Sequence, residues 1–227
     1  MMEENNFVGI ASLIGEPARA KMLWNLLDGR AYTAGELAIA ADISGTSASN
    51  HLTKLLEADL LKVQKQGRHR YFSFSKPEIA YVVESLASLS DHSSKKVTDR
   101  NVISGIKYCR TCYDHLAGYV GVQITEALER KNILKRSGKF YEITDAGWDF
   151  LTGFNIYKNE IINKRRPLAK QCLDWSERRP HIAGQIGAML LSDMFERNWF
   201  RKIQFSRELI VTPKGKKEMS GLLNVEI

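Results

Sequence analysis

The chain has few cysteines and no long hydrophobic segment. Three cysteines among 227 residues, an odd number, do not suit a disulfide framework and favour a reducing compartment. No apolar run approaches the length that a bilayer-spanning helix requires. Glu3 and Glu4 stand where a secretory leader would carry basic residues. We therefore expect a cytoplasmic protein without a membrane segment.

Acidic residues are in the minority, and the charge balance is basic. The 33 lysines and arginines outnumber the 26 aspartates and glutamates, which gives a formal net charge of +7. This excess favours a polyanionic partner, although charge alone bears on solubility and non-specific binding more than on fold. With 227 residues, 44% of them hydrophobic, the chain can bury a real core and is long enough for two domains.

Residues 33–73 have the outline of a winged helix-turn-helix. The pattern predicts a support helix over residues 33–42, a turn, a second helix over 46–56 and a basic β-hairpin over 63–72. In such a domain the second helix enters the major groove of DNA. Because all the parts occur in the right order, we expect this stretch to bind double-stranded DNA.

The second helix carries the side chains expected to contact bases. Leu52 and Leu55 follow Ala48 at the spacing of one apolar face. The opposite face carries short hydrogen-bonding side chains, and an asparagine there can pair bidentately with adenine. A serine before the helix is placed to cap its N-terminus. The predicted DNA-binding residues of the helix and the hairpin are Ser44, Thr46, Ser47, Ser49, Asn50, His51, Lys54, Arg68, His69 and Arg70.

The N-terminal part resembles the ArsR/SmtB family of bacterial repressors over residues 7–88. The resemblance rests on residues 14–23, on the helices and wing, and on two short motifs. Those motifs, Asp28-Gly29-Arg30-Ala31-Tyr32 and Ser49-Asn50-His51-Leu52, are most similar to the cadmium- and lead-sensing branch. The resemblance implies a homodimer that binds an inverted-repeat operator and is released by an inducer. The residues that it assigns to base contacts are Ser47, Asn50 and His51, and those that it assigns to the wing are Arg68, His69 and Arg70.

The metal-sensing positions of that family do not carry ligands here. The support helix lacks the Cys-x-Cys box of the arsenic branch, and Lys54 and Ala58 stand where the cadmium/lead branch has cysteines. The acidic and histidine residues near the end of the domain do not reproduce the spacing of the zinc branch. These residues are Glu78, Glu84, Asp91 and His92. Any sensing chemistry is therefore expected outside the DNA-binding domain.

The predicted fold is mainly α with small β-hairpins, an α+β class. We expect a DNA-binding and dimerisation domain over residues 1–92, a polar linker over 93–104, and two winged-helix-like units over 105–166 and 167–227. Residues 77–89 predict a helix with one apolar face, which either pairs across a dimer or packs within its own domain. The expected core anchors include Trp24, Trp148, Trp175 and Trp199.

An internal repeat indicates the two C-terminal units. His115-Leu116-Ala117-Gly118-Tyr119-Val120-Gly121 returns 66 residues later, at 181–187, as His-Ile-Ala-Gly-Gln-Ile-Gly. Each unit is predicted to run helix, strand, turn, strand and helix. The hairpins are basic, but the helices before them, over 122–128 and 189–195, are dominated by apolar residues. This composition favours a structural or effector role over a second DNA contact.

Candidate sensing chemistry lies in the segment Cys109-Arg110-Thr111-Cys112-Tyr113-Asp114-His115. If this segment is helical, its thiols and imidazole share one face, a donor set that suits zinc, cadmium or lead. Basic neighbours could instead lower a thiol pKa for redox sensing, and the cysteines could also be plain core. With the second unit included, the candidate metal ligands are Cys109, Cys112, His115, Cys172 and His181.

Three functions remain open on the sequence. The favoured one is a homodimeric transcriptional repressor, not an enzyme, released by a metal ion or a thiol-reactive signal sensed in the C-terminal region. The second is a thiol-dependent enzyme fused to a DNA-binding domain, with Cys112 as nucleophile and His115 as base. The third is an architectural DNA-binding protein that responds to no inducer.

Overall fold

The computed structural model describes residues 2–89, 103–161 and 166–227 of the chain. The chain divides into two compact units between Leu89 and Ser90. The predicted linker over 93–104 lies outside the described residues except for its last two positions.

The N-terminal unit is a winged helix-turn-helix. Its helices are α1 (Met2–Gly15), α2 (Pro17–Leu26), α3 (Ala34–Ala41), α4 (Gly45–Glu57) and α5 (Pro77–Leu89). Its strands are β1 (Tyr32–Thr33), β2 (Leu61–Gln66) and β3 (His69–Phe74), and they form an antiparallel sheet in the order β1-β3-β2. The predicted support helix, second helix and basic hairpin are confirmed as α3, α4 and the β2–β3 pair.

Local sequence signals determine where α3 and α4 begin and end. Thr33 caps α3 by accepting a hydrogen bond from the N–H of Glu36, whose carboxylate accepts the N–H of Thr33 at 2.8 Å, a capping box. Asp42 ends α3 in the left-handed region, at φ 59°. Ser44 caps α4 by accepting the N–H of Ser47 at 3.2 Å, as its sequence position predicts. These caps produce the tight turn between the two helices.

An apolar core holds α4 against α2 and α3. Ala48, Leu52 and Leu55 are buried on one side of α4, and Leu23 of α2 and Leu37 of α3 are buried in the same unit. Full burial of a leucine side chain stabilises the fold by about 1.5–3 kcal/mol. With its apolar side fixed inward, α4 leaves its polar side in solvent.

In the C-terminal unit the same order of secondary structure, two strands, a helix, two strands and a helix, occurs twice. The first copy comprises β4 (Arg110–Cys112), β5 (His115–Ala117), α6 (Gly118–Arg130), β6 (Leu134–Ser137), β7 (Phe140–Ile143) and α7 (Asp145–Thr152). The second copy comprises β8 (Lys170–Leu173), β9 (Pro180–Ala183), α8 (Gly184–Glu196), β10 (Phe200–Lys202), β11 (Leu209–Val211) and α9 (Pro213–Leu223). Strands β6-β7-β8-β9 form one antiparallel sheet that joins the copies, while β4–β5 and β10–β11 are separate pairs.

The two copies also share details of the backbone. Gly118 and Gly184 begin the helices α6 and α8 at φ 79° and 85°. A Cβ on either glycine would lie less than 3 Å from a carbonyl oxygen, at 2.8 Å and 2.7 Å respectively. Thr144 and Thr212 cap α7 and α9, and each donates its hydroxyl proton to an asparagine carbonyl at 2.7 Å. These matches support an internal repeat, although the unit boundaries taken from the sequence remain predictions.

The segment that carries the first candidate ligands is a β-hairpin, and the helical arrangement considered for it does not occur. Strands β4 and β5 are joined by a two-residue turn in which Tyr113 takes φ 60°. Helix α6 begins only at Gly118, after the histidine. Each copy therefore opens with a hairpin that the expected order of helix, strand, turn, strand and helix lacks.

One apolar core runs through both copies of the C-terminal unit. It includes Ile124 and Leu128 of α6, Ile186 and Leu190 of α8, and Trp199. Helix α6 packs on β9 and α8 packs on β5, so each copy's helix covers the other copy's hairpin. In the part of the chain that the structure describes, no helix combines the length and the apolar character needed to cross a bilayer.

Candidate nucleic-acid interface and Cys/His cluster

Helix α4 presents a polar face to solvent. Of the predicted residues on and before this helix, the exposed ones are Ser44, Thr46, Ser49, Asn50 and Lys54, and the half-buried ones are Ser47 and His51. The Ser49 hydroxyl donates to the carbonyl oxygen of Gly45 at 3.0 Å, which holds this side chain close to the helix. Asn50 offers an amide donor and an acceptor from the middle of the face. The face therefore has the short polar groups that a helix in the major groove requires.

His51 is positioned differently from the other predicted base-contacting residues. Its Nδ1 lies 3.3 Å from Nη1 of Arg19 and 3.4 Å from Oε2 of Glu16, at the start of α2. Arg19 in turn donates to the carbonyl oxygens of Ser12 and Leu13 near the end of α1. His51 therefore connects α4 to the junction of α1 and α2, a contact that the family resemblance does not imply.

The β2–β3 hairpin forms an exposed basic wing. Residues 62–70 are all exposed, and antiparallel pairing places Lys65 opposite Arg70. Gly67 makes the turn at φ 58°, a conformation that glycine adopts without steric cost. The exposed wing residues predicted from the sequence are Arg68, His69 and Arg70. Cationic side chains on such a wing are suited to DNA phosphates.

An apolar groove with a volume of about 480 Å³ lies between helices α1, α2 and α5 and is open to solvent. Its lining includes Phe7, Ile10, Leu23, Trp24, Val82 and Leu86. Phe7 is 73% exposed and Trp24 is 37% exposed, so Trp24 is not the core anchor expected from the sequence. Large apolar side chains that are exposed together on one surface mark an interaction site.

Four of the five predicted metal ligands meet inside the C-terminal unit. The donor atoms of Cys112, His115, Cys172 and His181 all lie within 4.8 Å of one another. The two sulfur atoms are 3.9 Å apart, and the two imidazole centroids are 5.1 Å apart. Both histidines are fully buried, Cys112 is 1% exposed, and Cys172 is half-buried. Cys172 is thus the most accessible member of the cluster.

The hairpins produce this geometry by pairing each cysteine with a histidine. Cys112 is the cross-strand partner of His115 in β4–β5, and Cys172 is the partner of His181 in β8–β9. Direct cross-strand neighbours have Cβ atoms about 4.5–5.5 Å apart, so each hairpin presents one thiol beside one imidazole. Strand β5 lies against β9, which brings the two pairs together. Gly187 permits this approach, because a Cβ there would lie 3.2 Å from the Cβ of His115.

In the first copy, Asp114 links the histidine to an arginine. Its Oδ1 lies 3.2 Å from Nδ1 of His115, and its Oδ2 lies 2.7 Å from Nη1 of Arg166. Burial acts to raise the pKa of Asp114, but the hydrogen bonds from His115 and Arg166 hold it below its usual value. Burial acts to lower the pKa of His115, but the Cys112 sulfur and Asp114 raise it to about 9.

In the second copy, Asp174 takes the same position beside His181. Its Oδ2 lies 3.4 Å from Nδ1 of His181 and 2.8 Å from Nη2 of Arg110, and all three side chains are fully buried. The Arg110 guanidinium lies 4.5 Å from the centroid of the Trp175 ring. Burial acts to raise the pKa of Asp174, but Arg110 and His181 hold it well below its usual range. Because Arg110 belongs to β4, this ion pair joins the two copies.

Cys109 is the predicted ligand that does not join the cluster. Its side chain is fully buried in the apolar core, and burial raises the pKa of its thiol far above the usual value. Side chains three residues apart share a face in a helix but point to opposite faces in an extended strand. The hairpin therefore separates Cys109 from Cys112.

A repeat comparison with one fixed shift does not align Cys112 with Cys172 and His115 with His181 at the same time. Cys112-Tyr113-Asp114 returns as Cys172-Leu173-Asp174 with a shift of 60, whereas His115 returns as His181 with a shift of 66. The difference is the longer turn between β8 and β9, which inserts six residues after the aspartate. A repeat search that allowed such an insertion would have aligned both Cys-His pairs.

Comparisons with known proteins bear on both units. A family model described as a helix-turn-helix domain matches residues 14–64. A protein of Bacillus subtilis (strain 168), described as an uncharacterized HTH-type transcriptional regulator, YdfF, is 41% identical over 223 residues, 98% of this chain and 99% of that protein. Among solved structures, NolR from Sinorhizobium fredii is 24% identical, with a TM-score of 0.36, over 39% of this chain and 87% of its own. The homodimeric winged helix-turn-helix domain of Mb0332 from Mycobacterium bovis is 18% identical, with a TM-score of 0.37, over 40% and 82%.

The Bacillus relative matches nearly the full length of both proteins, so the likeness is not confined to the DNA-binding domain. TM-scores as low as those of the solved structures carry no conclusion about function. The exposed polar face of α4 lies within the segment that the family model matches, and most of the basic wing follows directly after it. The chain belongs to the helix-turn-helix family of transcriptional regulators and is a DNA-binding protein.

Proposed function

We propose that the chain is a homodimeric repressor of the ArsR type, released from an inverted-repeat operator by an inducer that acts on the C-terminal unit. The observation that carries this proposal is the exposed polar face of α4 beside the exposed basic wing. A closer relation to the cadmium- and lead-sensing branch gains no support, because no cysteine lies on α4. Location in the cytoplasm remains a prediction.

In the proposed complex, α4 enters the major groove of the operator. Thr46, Ser47 and Asn50 approach the base edges, and the Asn50 amide is suited to adenine. Arg68 and Arg70 of the wing contact phosphates, which position the domain on the duplex without reading sequence. His51 acts differently, since its contacts with α2 support α4 from behind. The remaining proposed DNA contacts are Ser44, Ser49, Lys54 and His69.

The apolar groove is the proposed contact with a second copy of the chain. The sequence left two roles open for the apolar residues of α5, packing within their own domain and pairing across a dimer. Val83 is 7% exposed and packs inward, whereas Val82 and Leu86 are 51% and 45% exposed and remain available for a dimer contact. A two-fold dimer uses the same patch on both subunits, so each groove would receive the exposed α1 and α5 residues of the other copy. Such a dimer matches an operator with two inverted half-sites.

Leu86→Glu tests this dimer surface. A carboxylate in the groove would have to be buried without a partner, so we expect the variant to sediment as a monomer where the wild type sediments as a dimer. Leu222→Glu is the matched control, because Leu222 is 39% exposed on α9 of the other unit. A monomeric wild-type protein, or a Leu222→Glu variant that dissociates equally, contradicts the proposed surface.

The Cys/His cluster is the proposed site of the inducer, either a zinc, cadmium or lead ion or a thiol-reactive compound. A coupling of about 1–3 kcal/mol between this site and the operator would suffice to change occupancy. The alternative of a thiol-dependent enzyme is disfavoured, because the proposed nucleophile Cys112 and the proposed base His115 are both buried. A purely architectural DNA-binding protein would bind DNA with an affinity that neither metals nor oxidants change.

Asn50→Ala tests base reading directly. With the chain's own upstream DNA as the duplex, fluorescence anisotropy should show a loss of specific affinity of about 1–3 kcal/mol. Binding to a scrambled duplex should change little, because that binding depends on phosphate contacts. Glu57→Ala is the control on the same helix, since Glu57 is exposed at its last position. Equal losses on both duplexes, or none on either, would remove α4 as the reading helix.

A further inference from the structure

We infer that Cys112, His115, Cys172 and His181 form a four-coordinate site for one divalent cation of the zinc class. Each copy of the C-terminal repeat supplies half of the ligands, one thiol and one imidazole. The inference deepens the proposed function by naming the ligand of the cluster, and only the role of that ligand as inducer rests on the proposed function.

The spacing of the donor atoms fits a tetrahedral ion. Two thiolates that each lie about 2.3 Å from a zinc ion in a tetrahedron are about 3.8 Å from each other. The sulfur atoms of Cys112 and Cys172 are 3.9 Å apart, and the other donor atoms fall within 4.8 Å. Two sulfur and two nitrogen donors in this arrangement select zinc-like ions over magnesium or calcium, which prefer oxygen.

The charges of the buried groups also balance around such an ion. Two thiolates and two neutral imidazoles leave no net charge on a site that holds a divalent cation, so the ion can be buried at low cost. The neighbouring carboxylates do not disturb this balance. Asp114 is paired with Arg166, and Asp174 with Arg110.

Each histidine has a carboxylate near its Nδ1 atom. Asp114 is hydrogen-bonded to Nδ1 of His115 at 3.2 Å, whereas Asp174 lies 3.4 Å from Nδ1 of His181 without a hydrogen bond. A carboxylate that is hydrogen-bonded to one ring nitrogen fixes the tautomer and directs the other nitrogen to a metal, which is the arrangement of His115. Both ring nitrogens of His181 are fully buried, and neither has a hydrogen-bond partner among the residues that the structure describes. A bound cation would satisfy one of them.

A metal site accounts for more of the cluster than a redox pair or a packed core does. A reversible disulfide needs only the two cysteines, and a packed core needs neither histidines nor carboxylates. The Cys-x-Asp motif and the later histidine occur in both copies, even though the second copy carries six extra residues between them. An ion at this place would fasten β4–β5 to β8–β9.

A cobalt titration of the full-length chain tests the site. The reduced, metal-free protein is titrated with Co²⁺ while its absorption spectrum is recorded, and Zn²⁺ is then added. We expect saturation at one Co²⁺ per chain, with a thiolate-to-cobalt charge-transfer band and the intense visible bands of four-coordinate cobalt, all abolished by Zn²⁺. A wild-type spectrum without the charge-transfer band, or with only the weak bands of six-coordinate cobalt, overturns the inference.

Variants then identify the ligands. Cys112→Ser and Cys172→Ser should each weaken or abolish the charge-transfer band, whereas Cys109→Ala, which alters a buried cysteine outside the cluster, should retain it. Asp114→Asn should keep the stoichiometry but weaken Co²⁺ binding by about 10- to 100-fold. Loss of the band in Cys109→Ala with retention in Cys112→Ser would place the metal elsewhere and overturn the assignment.

Operator binding by the same samples separates the two proposals. If cobalt binds as expected but the metal-free chain shows no specific operator binding, the repressor proposal fails and the metal site stands. If operator binding is specific and the charge-transfer band is absent, the metal site fails and the repressor proposal stands with another inducer. If both hold and Zn²⁺ leaves operator affinity unchanged, the metal is not the inducer.

Discussion

A helix followed by an antiparallel strand pair occurs in the N-terminal unit and twice in the C-terminal unit, but only α4 keeps an uncovered polar face. Three of the thirteen residues of α4 are buried, compared with eight of thirteen in α6 and seven of thirteen in α8. The hairpins that follow α4 and α6 both carry exposed basic residues, so charge does not distinguish them. The three regions therefore share an order of helix and hairpin but differ in how much of the helix is covered, and we expect DNA binding where the helix is uncovered.

The packing that covers α6 and α8 also builds the Cys/His cluster. Each of these helices lies on the other copy's hairpin, and the two hairpins meet at β5 and β9. The same packing thus covers the faces of α6 and α8 and brings the four side chains of the cluster together inside the unit.

The largest effect is expected at the buried ion pair between the C-terminal copies. Asp174→Asn removes the carboxylate that pairs with the buried Arg110 guanidinium at 2.8 Å, and we expect the free energy of unfolding to fall by about 3–5 kcal/mol. Denaturant unfolding in excess chelator measures this without any contribution from bound metal.

Asp59→Asn is the matched control in the N-terminal unit. Asp59 pairs with Lys76 at 2.6 Å on an exposed surface, and asparagine tolerates its left-handed φ of 53°. We expect no measurable change in this variant, because exposed ion pairs contribute little. Similar losses in the two variants would show that the C-terminal pair is no more critical than a surface pair.

A smaller effect is expected from a methyl group added to the packed helix. In Gly187→Ala the new Cβ on α8 would lie 2.6 Å from the carbonyl oxygen of Ile182, so the backbone must shift. We expect thermal unfolding to show a loss of about 1–3 kcal/mol. In Gly45→Ala on α4 the new Cβ meets none of the described residues within 4 Å, so stability should be unchanged or slightly higher. A Gly187→Ala variant as stable as the wild type would contradict the close approach of α8 to Ile182 of β9.

Much of the N-terminal unit could be predicted from its sequence because its signals are local. The Ser44 cap, the apolar spacing of Leu52 and Leu55, and the turn at Gly67 each act within a few residues. The groove could not be predicted in this way. The exposure of Phe7 and Trp24 depends on how α1, α2 and α5 pack, which the spacing along one helix does not encode.

The Cys/His cluster in the C-terminal unit was predicted only in part, because it too depends on how distant segments pack. The residue types of Cys112, His115, Cys172 and His181 indicated metal chemistry, but their meeting depends on contacts between residues about 60 positions apart. Cys109 was included because a helix was considered where the chain forms a hairpin, and the strand geometry turns its side chain away. The shift of 60 between the cysteines was hidden by the longer turn of the second copy.

The most direct test of whether the N-terminal wing alone binds DNA is the salt dependence of operator binding in two hairpin variants. Arg68 and Lys139 each follow a turn glycine at φ 58°, and both are exposed, so they are matched in position and charge. If only the N-terminal wing binds DNA, Arg68→Ala should make the slope of log K against log salt shallower by about 0.9 for each phosphate that the wing no longer neutralises. Lys139→Ala should leave the slope unchanged. An equal reduction in both variants, or one in Lys139→Ala alone, would contradict the account.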